Sequence, residues 1–135
     1  MTFISTKIYT GKKHWYFKVI IFHTKNSMYK YRDGLTKDGA NVMRKPHRYA
    51  AICSVWPSKT EKKQYGALLF TRASARKSGV VSHEIAHATT YWFKHAEKRK
   101  NIYKDDVADE RYALLLGNLV AQYWHQWYAL PKNFK

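Results

Sequence analysis

The chain has a single cysteine, Cys53, so it can form no internal disulfide, and a disulfide-stapled secreted scaffold is excluded. It is also poor in acid, with 9 Asp and Glu against 25 Lys and Arg, for a formal charge of +16. A surface so unbalanced attracts polyanions without any dedicated site. No apolar run approaches the roughly 18 residues of a membrane span. Nor does the stretch from Met1 to Lys13 read as a charged leader followed by an apolar core and a small-residue cleavage site. Together these absences predict an intracellular, cytoplasmic protein that does not enter membranes. Only 3 prolines and 6 glycines interrupt the chain, and neither low-complexity tracts nor repeats are visible.

What is present is a core. Of the 135 residues 45% are hydrophobic, enough for one domain and too few residues for two, so the whole chain, 1–135, is read as one unit. Up to about residue 72, aromatic and β-branched residues fall in short runs between turn signals, which predicts strands. The runs are Phe3 to Tyr9, His14 to His23, Arg48 to Trp56 and Gln64 to Thr71. The last two, joined by the polar Pro57 to Lys63, suit an antiparallel hairpin. Ser27 to Arg32 alternates Tyr29 and Tyr31 with Lys30 and Arg32 and runs into Asp33-Gly34, the pattern of a solvated edge strand ending in a turn. Residues 33–47 are expected to form a long connection.

Beyond Thr71 the period changes. One long helix is expected from an N-cap at Ser74 or Ser78 to about Lys98, and a second from Asp105 or Asp106 to Leu130, with Pro131 just past its end. Lys98 to Lys104 would join them. The second helix is apolar on most sides, through Leu114, Leu115, Leu116, Leu119, Val120, Tyr123, Trp124, Trp127 and Tyr128, and is expected to be largely buried. The fold class that follows is α+β: a small antiparallel or mixed sheet from the N-terminal half, packed with two C-terminal helices.

The chemistry concentrates at His83-Glu84-Ile85-Ala86-His87. Two histidines four apart on a helix lie one above the other, so both imidazoles can reach one ion, while Glu84 is offset by about 100° and can address a water on that ion. Zinc lowers the pKa of such a water towards about 7, and a carboxylate beside it accepts the proton. From the chain's own composition the motif would arise by chance roughly one time in a hundred, before a helical context is required. The reading is one Zn²⁺ per chain, held by His83 and His87, with Glu84 as catalytic base.

A catalytic zinc takes a third protein ligand. His95, twelve residues after His83, would lie about 18 Å along a continuous helix and cannot share the ion. Glu110 on the second helix is the better candidate, because Ala113, Gly117 and Ala121 follow it on one face and would let the helices approach closely. Asp109 and Asp106 remain alternatives as ligand or as support for a ligand histidine. Tyr91, Tyr112, Arg111 and His95 are candidates for stabilising an oxyanion or supporting the site.

His83-Glu84-Ile85-Ala86-His87-Ala88, followed by Glu110-Arg111-Tyr112-Ala113 on a second helix, resembles the gluzincin-type zincin metallopeptidases. Within them it looks most like the small ImmA/IrrE-like proteins of bacteria and mobile elements. The resemblance covers residues 82–121. It implies His83, His87 and Glu110 as metal ligands, Glu84 as base, and hydrolysis of a protein or peptide target. The chain departs from the broader pattern at Leu114, where an Asp often supports a ligand histidine. The other reading the residues leave open is a binding or inhibitory protein on the same scaffold, gripping nucleic acid, a nucleoprotein complex or an acidic protein through its basic surface.

Overall fold

The computed structural model describes residues 3–37, 51–55, 63–97 and 106–135, with side chains described for all of these except 35–37, 54–55 and 106–108. Four strands form one mixed sheet in the order β1-β2-β4-β3, where β1 is Phe3–Tyr9, β2 Tyr16–Phe22, β3 Ala51–Val55 and β4 Gln64–Thr71. The helices are α1, Lys25–Lys37; α2, Ser78–Tyr91; and α3, Asp106–Ala129. This is the α+β architecture the residue pattern predicts.

The strand sequences explain the order. β2 and β4 are buried on both faces apart from Lys18, as continuous apolar runs must be at the centre of a sheet. They pair in parallel, so the chain between them has to cross over, and α1 and β3 lie in that connection. β1 pairs antiparallel with β2, and β3 antiparallel with β4 as expected. On one side of the sheet Ile8, Phe17, Val19, Leu68 and Phe70 meet Val81, Ile85, Ala88, Leu119 and Tyr123 of α2 and α3. On the other, Ile20, Phe22, Ile52, Ala67 and Leu69 meet Met28 and Tyr29 of α1.

That third helix corrects the reading of Ser27 to Arg32 as an edge strand with a turn at Asp33-Gly34. Two-residue alternation over so short a stretch also fits a helix: Met28 and Tyr29 are buried and Tyr31 packs beside them, a helical stripe. The start is set by Thr24, whose hydroxyl accepts a hydrogen bond from the Ser27 amide at 3.2 Å and meets the Ser27 hydroxyl at 3.0 Å. The rest of the expected connection, 38–47, both ends of the Arg48 to Trp56 run, most of the Pro57 to Lys63 loop, and Lys98 to Lys104 lie outside the described residues.

Three further differences concern the helices. Neither Ser74 nor Ser78 caps α2; the residue before it is Lys77, without a side-chain cap, and Ser74 instead exchanges hydrogen bonds with Thr71 in a 3₁₀ turn, Ser74–Arg76. The single long helix to Lys98 ends as an α-helix at Tyr91 and continues as a π-helical turn, Trp92–Ala96. Finally, α3 is not largely buried. Leu119, Tyr123 and Trp127 face the core, but Leu114 is 64% and Tyr128 72% exposed, because one side of the helix meets the sheet and α2 while the other meets none of the described residues.

α3 also closes one edge of the sheet. The Gln122 amide donates to the Tyr9 carbonyl at 2.9 Å and accepts from the Tyr9 amide at 2.8 Å, and Gln126 donates to the Lys7 carbonyl at 2.6 Å. Two glutamines thus occupy the edge of β1 as a neighbouring strand would.

Candidate metal centre

α2 packs its Val81, Ile85, Ala88 and Thr89 side into the core, which leaves His83 and His87 on the opposite, exposed side. Their Nε2 atoms stand 3.0 Å apart and their ring planes cross at 85°. Two nitrogens each about 2.0–2.1 Å from one tetrahedral ion would be separated by about 3.3 Å, so the pair fits a shared zinc to within a few tenths of an ångström. The donor chemistry fits as well, since neutral imidazole is a preferred zinc ligand. Burial, and then the neighbouring His83, hold the His87 imidazole below its ordinary pKa, so it favours the neutral, ligating form.

Glu84 sits a quarter-turn away and is buried, with 9% of its surface exposed. Burial raises its carboxyl above the ordinary range, and His83 partly opposes the shift. It lies towards β3, where its charge, after burial, helps to push the Cys53 thiol up. Proton affinity above that of an exposed carboxylate is what a general base beside a metal requires.

α3 lies alongside the turn that carries His87. The Tyr112 hydroxyl is 3.0 Å from the Thr90 hydroxyl and donates to the Ala86 carbonyl at 3.4 Å, and its ring meets Phe93. Tyr112 is therefore brought to the flank of the histidine pair. Tyr91 extends the Glu84 side of the helix, its ring tilted against His95 at 4.1 Å and meeting Tyr65 edge to face at 6.2 Å between ring centres. Arg111 lies elsewhere: it pairs with Glu97 at 3.3 Å.

The third ligand is a different matter. Asp109 and Glu110 are exposed on α3, and among the described residues no group of three His, Cys, Asp or Glu side chains is gathered to hold an ion. Asp106 begins α3, and its side chain lies outside the described residues. The strip of Ala113, Gly117 and Ala121 does not serve the close helix approach expected of it; all three are exposed, and a Cβ added at Gly117 would meet nothing within 4 Å.

No family model, no curated protein and no solved structure matches this chain. The site therefore rests on its own geometry. That geometry adds Cys53, Tyr65 and Thr90 to the residues read from the sequence. Cys53 and Tyr65 lie on strands distant along the chain from α2, and only strand register and helix placement bring them near. Thr90 was legible as the next exposed position after His83 and His87 at helical spacing.

Proposed function

We propose that the protein is a zinc-dependent metallopeptidase, with His83 and His87 as two metal ligands, Glu110 as the third and Glu84 as general base. The observation that carries this reading is the 3.0 Å separation of the two Nε2 atoms on an exposed helix face beside a buried carboxylate. Without an ion one Nε2–H donates to the other Nε2 across this distance, and a zinc ion would take the place of that proton and bind both nitrogens. Glu110 lies about 200° around α3 from Tyr112, the residue that touches the His87 turn, so its ligand role rests on the sequence pattern.

When bound, zinc supplies Lewis acidity, acidifying a water and polarising a carbonyl. Glu84 would take the proton from that water and pass it to the leaving amine, its burial keeping proton affinity high enough for both steps. Tyr112 and Tyr91, on the two flanks of the helix, would be the donors to the carbonyl oxygen. The peptide preference has its own support. β1's edge is occupied by Gln122 and Gln126, whereas among the described residues no strand or side chain pairs with the outer edge of β3, the strand next to Glu84. An extended backbone could add there by main-chain hydrogen bonds.

The test reads metal and turnover separately. Purified protein should hold about one zinc per chain, lost in His83→Ala and in His87→Ala and retained in Glu84→Gln. Zinc-loaded wild type should cut members of a proteome-derived peptide library read by mass spectrometry, and Glu84→Gln should leave the library intact. Full zinc occupancy in both histidine variants would overturn the metal site; an uncut library with metal-loaded wild type would overturn the peptidase.

A further inference from the structure

α2 runs alongside β3 in the same direction. Ser74, just before the helix, exchanges hydrogen bonds with Thr71 at the end of β4, and the neighbouring Phe70 pairs with Ala51, the first residue of β3. At the far end Tyr91 and Trp92 meet Tyr65, which lies beside the Val55 end of β3. A peptide against the outer edge of β3 would therefore follow the helix from Lys77 past Glu84 to His95. Lys77, Glu84, Tyr91 and His95 recur after seven, seven and four residues, which sets them in one line along that side.

Charge is distributed unevenly along this groove. Residues 78–93 contain no Lys or Arg, although the chain has 25. Arg76 and Lys77 stand exposed just before that stretch and Lys94 just after it, and among the described residues none of the three forms an ion pair. Lys94 continues the exposed face of His83, His87 and Thr90. The described carboxylates other than Glu84 stand off this line. Glu97 is held by Arg111 at 3.3 Å and Lys12 at 3.6 Å. Asp109 and Glu110 belong to α3, whose Tyr112 meets α2 at Ala86, Thr90 and Phe93, away from Glu84. Asp33 is on α1, which covers the other face of the sheet.

We propose that the groove takes an acidic peptide segment, extended along β3 with carboxylates about four residues to either side of the scissile bond. The spacing follows from the helix. Residue 85, the centre of the histidine pair, is eight residues from Lys77 and nine from Lys94, about 12 and 14 Å at 1.5 Å per residue. An extended chain covers either distance in about four residues at roughly 3.3 Å each. Carboxylates placed there meet cations at each end, and the middle of the peptide meets only the proposed metal. A nucleic acid fits less well. A phosphate at every nucleotide calls for cations along the whole groove, and its backbone lacks the alternating N–H and C=O groups that pair with a strand edge. The position of the scissile bond rests on the peptidase reading above; the charge preference does not.

The experiment uses dye-labelled peptides about 12 residues long, with one neutral central sequence flanked by Glu, Gln or Lys. Binding to the Glu84→Gln protein is read by fluorescence anisotropy, and cleavage by zinc-loaded wild type by mass spectrometry. At about 20 mM salt the Glu-flanked peptide should bind about tenfold or more tighter than the Gln-flanked one, and the Lys-flanked peptide weaker still. By about 500 mM, where the Debye length is about 4 Å, the three should converge. Peptides acidic at one end only separate the two groups of cations. Arg76→Gln together with Lys77→Gln should remove the preference at one end and Lys94→Gln at the other, while Lys30→Gln on α1 should change affinity less than twofold. The proposal is overturned if the three peptides bind alike, if the preference survives all three groove substitutions, or if oligo(dT) of equal charge binds more tightly through the same three cations. Acidic peptides bound by the Glu84→Gln protein yet left whole by zinc-loaded wild type would sink the peptidase reading and leave the groove standing; cleavage without regard to flanking charge would do the reverse.

Discussion

Cys53 shows how much one side chain's behaviour depends on neighbours that are remote in sequence. Burial and the Glu84 carboxylate both disfavour its thiolate, so the thiol is pushed well above its ordinary range. The folded protein should therefore react with iodoacetamide far more slowly at pH 8–9 than the urea-unfolded chain, as mass spectrometry of the adduct would show. The sign for stability follows. A thiol whose pKa is higher folded than unfolded contributes stability that is complete below its unfolded value, near 8.5, and is lost as pH rises beyond it. Tyr123 makes the complementary case, because its buried hydroxyl donates to the Ala75 carbonyl at 2.5 Å and ties α3 to the turn before α2. Tyr123→Phe leaves that carbonyl without its partner and should lower unfolding free energy by about 1–3 kcal/mol in a urea titration.

At the scale of elements, the strands were legible because each is a short apolar or β-branched run bounded by turn residues; Phe3–Tyr9 and Gln64–Thr71 appear with the expected bounds. α1 was misread because Tyr29 and Tyr31 satisfy a two-residue period over four positions, while the signal that decides it, Thr24 followed by Ser27, is a cap of ordinary polar residues. α3 was placed correctly but its surroundings were not. The residues Ala113, Gly117 and Ala121 imply a close neighbour, and within the described structure that side of the helix has none. Gly117→Ala should consequently stabilise the protein by about 0.5–1 kcal/mol, since the methyl meets no atom and helix propensity improves. Denaturant melts showing destabilisation instead would place another element against that face.

For the molecule as a whole, the histidine pair and Glu84 lie on the α2 and α3 side of the sheet, and exposed basic residues are found on that side too, Arg76, Lys77 and Lys94 flanking α2. A formal charge of +16 on 135 residues makes the folded state repel itself. Thermal stability should therefore rise with sodium chloride from about 10 to 200 mM, as the Debye length shortens from about 30 Å to below 10 Å, and a melting temperature that falls over this range would contradict the account. No helix among the described residues is long and apolar enough to cross a membrane, in keeping with the absence of long apolar runs.

Local chemistry in the sequence determined the α+β class, four strand positions, two C-terminal helices and the pairing of His83 with His87, because periods of two and of nearly four residues are properties of the chain alone. It also marked Glu84 as the residue beside that pair. The tertiary structure alone decided that β2 and β4 run parallel, that α1 covers the second face, that Glu84 is buried against β3 near Cys53, and that glutamines of α3 close the edge of β1. These depend on contacts between residues far apart in sequence, and register, burial and edge pairing arise only when distant segments meet.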